Sequence, residues 1–114
     1  MNYLENINRV RKRKQFFFKK SFKKETKRLS NILIEKYNFK RLYLFGSLVT
    51  SKPLQPWSDI DFAIEGIKEE LFLKAYALIL KNSKFSIDLK PFEDMDEKDK
   101  KNIRENGVIL YEKK

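Results

Sequence analysis

The sequence predicts a single domain of the α/β or α+β class, a small mixed sheet packed by helices, with a basic helix at its N-terminal end. Its 114 residues suffice for one hydrophobic core. Helical and strand periodicities alternate in the order helix, strand, strand, helix, strand, helix, strand. A hydrophobic content of 41%, with ten Phe and five Tyr, is that of a folding chain even though 37% of the residues are charged.

From Asn6 to Tyr37 there is no Gly or Pro, and Phe18, Phe22, Leu29, Ile32, Leu33 and Tyr37 recur at helical spacing. Asn38 is the expected stop, with Lys36 in the last turn where a cation suits the helix dipole. Phe16 to Phe18 are too apolar for a free tail and are expected to pack on the domain or on a partner. RLYLF (41–45), DIDFAIE (59–65) and KFSIDLK (84–90) read as strands, each alternating or apolar between turn residues. Glu69 to Lys81 reads as a helix whose Leu71, Ala75, Leu78 and Ile79 make one apolar face. Asp94 is the expected N-cap of a last helix, with Glu97 as its capping-box acid, and Gly107 its end. Val108 to Tyr111 follows as a short strand.

Charge divides the chain unevenly. Residues 1–28 hold eleven Lys or Arg against two Glu, whereas residues 29–114 hold fifteen against fourteen acids. The chain is therefore read as a basic helical extension (1–28) and a nearly neutral domain (29–114). A localised basic arm is the footprint of a contact with nucleic acid or an acidic protein, or else a solvated lysine-rich helix face.

There is no Cys and no His, which excludes thiolate and imidazole catalysis, disulfides and the usual zinc sites. Catalysis, if present, falls to carboxylates. The longest apolar run, Leu71 to Leu80, is interrupted by Lys74 and is well short of the ~20 residues a membrane span needs, so no membrane association is expected. No apolar leader with a small-residue cleavage site opens the sequence, and a cytoplasmic location is expected.

Asp59-Ile60-Asp61 is the stretch that calls for chemistry. On a strand the two carboxylates project to one side while Ile60, Phe62 and Ile64 enter the core on the other. In the third strand Phe85, Ile87 and Leu89 form the apolar face and Asp88 points away from it. If the two strands are neighbours in register, Asp59, Asp61 and Asp88 meet on one face, where they repel unless cations neutralise them. An all-oxygen set of this kind suits Mg²⁺ or Mn²⁺. Gly46-Ser47, directly after a strand, lets backbone approach a ligand closely and offers donors of the kind that hold phosphate. Lys52 and Lys90 are nearby candidate cations. The alternative is that Gly46 merely ends a strand and the acids are incidental surface charges.

These residues resemble the nucleotidyltransferases of the DNA polymerase β superfamily in their minimal single-domain form. The likeness runs from Arg41 to about Tyr111 and rests on LFGS, SDIDFAI, FSIDLKPFED and the tail RENGVILYEKK. It implies a nucleotidyltransferase fold, with Gly46, Ser47 and Ser58 binding the nucleoside triphosphate and Asp59, Asp61 and Asp88 holding two Mg²⁺ ions. Asp88 would also relay the acceptor's proton. The stretch after Gly-Ser, Leu48 to Pro53, differs from the small residue, Arg or Lys and Gly that family members typically carry.

Minimal members commonly act as antitoxins that add AMP from ATP to a tyrosine of a HEPN-domain toxin, and the resemblance implies the same here. Two other readings stand beside it: an antitoxin that silences a HEPN ribonuclease by binding alone, and transfer to RNA or a small molecule, with the basic helix guiding an RNA. So small a domain offers one shallow face, so its nucleotide site is expected to be completed by a partner or a second copy.

Overall fold

The computed structural model describes residues 16–49, 54, 55 and 57–114. The segment before Phe16, Lys52 and the side chains of Phe16 to Phe18 lie outside the described residues, and so do the expectations attached to them. Three helices and four strands follow in order: α1 (Phe16–Lys36), β1 (Arg41–Phe45), β2 (Ile60–Glu65), α2 (Glu69–Asn82), β3 (Ile87–Pro91), α3 (Glu97–Asn106) and β4 (Val108–Glu112). Short 3-10 turns at Gly46–Val49 and Phe92–Asp94 follow β1 and β3.

The sheet order is β3-β2-β1-β4. β1 pairs antiparallel with β2 and β4, and β2 runs parallel to β3 through the α2 crossover. Alternation gives the sheet two unlike faces. Leu42, Leu44, Ile60, Phe62, Ile64, Ile87 and Leu89 face α1 and α2 and close the main core with Phe22, Leu29, Leu33, Ala75 and Ile79. On the opposite face Tyr43 and Ala63 pack with Phe92 and Ile103 of the last turn and helix. The sheet is thus covered on both sides. α3 takes only part of the second face, over the middle of β1 and β2.

Each sequence-predicted element is present, with several ends shifted by one to three residues. β2 begins one residue after Asp59. β3 begins at Ile87 rather than Lys84 because the Ser83 hydroxyl donates to Phe85 O and accepts from the Phe85 amide, which turns the chain just before the strand. The last helix is capped by Asp96, whose carboxylate accepts from the Asp99 amide at 2.8 Å, and not by Asp94. Phe92 is 2% exposed and stacks on Tyr43 at 5.0 Å, so Phe92–Asp94 must first turn the ring inward and the helix starts later.

α1 passes through residues 28 and 29 without a break. Phe22 is fully buried against Phe85, with ring centroids 4.6 Å apart. Glu25, 4% exposed, accepts two bonds from Arg28 at 2.8 Å and the Lys84 amide at 2.6 Å, while Arg28 also donates to Asn82 O. The Arg28 bonds, against the opposing effect of burial, hold the Glu25 carboxyl below its ordinary range. This cluster staples α1 to the turn between α2 and β3. No helix among the described residues is long and apolar enough to cross a membrane.

Phe22→Ala is expected to destabilise the fold by about 3–5 kcal/mol, the usual cost of emptying a buried Phe site. Urea denaturation measures it. A loss below about 1 kcal/mol would show that the N-terminal half of α1 is dispensable to the core.

Candidate active site

Burial of alternate residues fixes where the carboxylates go. Ile60, Phe62, Ile87 and Leu89 must face the core, so Asp61 and Asp88 face the other way, and the parallel register sets them directly opposite each other. Phe45, the last residue of β1, is the partner of Asp61 on the other side. Asp59, exposed, precedes the strand by one residue. The three acids therefore share the part of the second face next to that covered by α3.

Gly46 closes the site from β1. Its φ of +80° is a conformation that side-chain-bearing residues rarely adopt, and a Cβ there would lie 2.1 Å from Asp61 Oδ2. The backbone thus runs directly against the Asp61 carboxylate. Leu48, 4% exposed, anchors the 3-10 turn that follows, with Ser47 half-buried at its start. Ser58 has a different placement from Ser47: its hydroxyl accepts from the Gln55 amide at 2.9 Å, and its own amide donates to Gln55 O at 3.0 Å. That side chain shapes the turn presenting Asp59.

Crowding shows in the acid strengths. Burial first, and then the charges of Asp59 and Asp88, raise Asp61 to about 6, with Lys90 opposing them. Asp88 is held differently. Tyr76, on α2, donates its hydroxyl to Asp88 Oδ1 at 3.0 Å, and Lys90 Nζ lies 3.7 Å from Oδ2. Burial and the bond to Asp88 raise the Tyr76 phenol above its ordinary value.

Lys90 is among the cations the sequence offers, whereas Tyr76 was not anticipated. Its signal was a phenol on an otherwise apolar helix, a group that needs a hydrogen-bond partner wherever it is buried.

By donor chemistry the three carboxylates fit a hard divalent cation, which would relieve the repulsion that raises Asp61. As they stand, no group of three acids among the described residues is gathered closely enough to hold an ion. A hollow of about 640 Å³ lies elsewhere, between the start of α2 and the end of β3, lined by Ile67, Phe72, Leu73, Pro91 and three acids. It includes none of the residues above.

An acidic sheet face beside a glycine-opened turn has the makings of a phosphate-handling site. Residues 27–114 match the family model described as Polymerase beta, Nucleotidyltransferase, and the chain belongs to that family. No curated protein matches it. The four-stranded mixed sheet with three helices agrees with a nucleotidyltransferase fold, and the family supports nucleotidyl transfer as the general activity.

The raised Asp61 carries a stability signature. Its folded value near 6 lies above the ordinary value of 3.8. The folded chain therefore binds the proton more tightly, and stability falls as pH rises from about 4 to about 6. With EDTA present, Asp61→Asn is expected to melt higher than the parent at pH 7 and to converge with it near pH 4. Thermal denaturation followed by circular dichroism checks this, and a lower melting point for the variant at pH 7 would make ionised Asp61 a structural requirement.

Proposed function

We propose that this protein is a divalent-metal-dependent nucleotidyltransferase that moves AMP from ATP to a hydroxyl acceptor, the acceptor being a tyrosine of a HEPN-domain toxin for which it is the antitoxin. The observation that carries the catalytic part is the opposition of Asp61 and Asp88 across the β2–β3 pair, with Gly46 against Asp61. The toxin and the tyrosine rest on the likeness to minimal family members.

In this reading Asp59, Asp61 and Asp88 would hold Mg²⁺, or Mn²⁺ in its place. Bound there, the metal supplies positive charge to the triphosphate and acidifies the attacking hydroxyl. Gly46, lacking a side chain, and Ser47 let the β1 turn come up against the phosphates. Asp88 takes the proton of the acceptor hydroxyl as its oxygen bonds to the α-phosphorus. The bond from that phosphorus to the bridging oxygen breaks, and pyrophosphate leaves with the electron pair. Tyr76 and Lys90 set the direction of the Asp88 carboxylate before the acceptor arrives. On so small a domain a partner or a second copy completes the site.

One observation favours a second reading, neutralisation by binding alone. Asp88 is already engaged by Tyr76 and Lys90, and the acids are not gathered around an ion position. Incubation with labelled ATP and Mg²⁺, with and without the product of the neighbouring gene, separates the two: label on a tyrosine of that product supports transfer. Binding without label supports simple neutralisation, and label on RNA would replace the protein acceptor.

Asp88→Asn keeps the side chain's size but removes its charge and basicity. Nucleotide affinity by titration calorimetry is expected to stay within about tenfold of the parent, while single-turnover transfer falls at least about a hundredfold, the scale typical of losing a positioned base. Transfer at the parental rate would show that Asp88 is neither base nor necessary ligand.

A further inference from the structure

Trp57 lies two residues before Asp59 and is 74% exposed. An indole is the largest apolar surface a side chain can bury, and this chain leaves it in water. The local structure explains how. Leu54, 5% exposed, and Ile60, fully buried, take the inward positions on either side. Between them Gln55 and Ser58 exchange two hydrogen bonds, at 2.9 and 3.0 Å, and close a turn that carries Trp57. The ring is presented outward by a braced backbone.

Its position relative to the acids is limited by the chain itself. At roughly 3.3–3.6 Å per residue, the Trp57 Cα lies within about 7 Å of the Asp59 Cα, so the indole stands beside the carboxylate face. The hollow near α2 is lined by none of these acids. A nucleotide held at the carboxylate face by its phosphates has a flat, weakly solvated base that gains from a π-surface to cover it. Among the described residues, the exposed aromatic ring at Trp57, on the same edge, matches such a base.

We propose that Trp57 is the base platform of the nucleotide site: the nucleobase of the bound nucleoside triphosphate stacks on the indole, while the phosphates lie toward Gly46 and the carboxylates. This rests on the nucleotidyl-transfer reading and adds the group that recognises the nucleoside end. Stacking accepts any base with a π-face, so selectivity between purine nucleotides is weak.

Trp57 is the chain's single tryptophan, and intrinsic fluorescence therefore reports this ring alone. The full-length protein in Mg²⁺ is titrated with ATP, GTP and inorganic tripolyphosphate, with affinities measured in parallel by calorimetry and folding checked by thermal denaturation. ATP and GTP are expected to quench the emission to saturation and to bind within a few-fold of each other, whereas tripolyphosphate binds with little quenching. Trp57→Ala is expected to weaken ATP about tenfold or more, leave tripolyphosphate unchanged and melt with the parent, and Trp57→Phe to restore most of the loss. Equal effects of Trp57→Ala on ATP and tripolyphosphate, or none on either, would overturn the stacking role while leaving the phosphate site standing. Failure of the parent to bind either compound would overturn the transfer reading and the platform with it. Loss of binding to the neighbouring gene's product alone would assign the ring to a protein contact and also overturn the proposal.

Discussion

The parallel pairing of β2 with β3 is the constraint from which the site follows. Asp61 and Asp88 are held opposite each other by neighbours that have no other place to go, since Ile60, Phe62, Ile87 and Leu89 all belong to the core. A slip of β3 by one residue would turn Ile87 and Leu89 into water and Asp88 into the core, a change far larger than the repulsion between the acids. Hydrophobic burial thus keeps together charges that would separate if free, and the raised Asp61 records the strain. α3 covers Tyr43 and Ala63 but not the acids.

The basic helix has two roles along its length. Phe22, Leu29 and Leu33 are as deeply buried as any strand residue, and Arg28 spends its charge on Glu25 and Asn82. Lys24 and Lys27 are exposed on the same helix. Part of the charge that marked residues 1–28 as an extension therefore belongs to the domain's own packing, and the helix is built into the fold on one side and cationic on the other.

Much of this was legible in the sequence because period and burial are local signals. RLYLF was bounded as β1, and the alternation in DIDFAIE and SIDL put the right residues inward. What the pattern could not carry was contact between elements. Tyr76 meets Asp88 only because α2 crosses between β2 and β3, and nothing near Tyr76 in sequence names that partner. The Asp94 and Asp96 caps are equivalent as local motifs, and burial of Phe92 decided between them. Ser58 and Gly46 show the same limit from opposite sides. Ser58 also braces the turn before Asp59, and Gly46, expected to let the backbone approach a ligand closely, abuts a carboxylate of its own chain.

That last contact ties together two positions fifteen residues apart. With Asp61 in place, no side chain can occupy position 46, and the positive φ independently narrows the choice to glycine. Selection on the carboxylate therefore extends to a residue with no functional group. In a lineage that lost the reaction, a smaller residue at 61 would remove the steric barrier at 46, leaving only the backbone to restrain it. Drift at the two sites would be linked, and the order of change would follow from the geometry: the acid first, the glycine after.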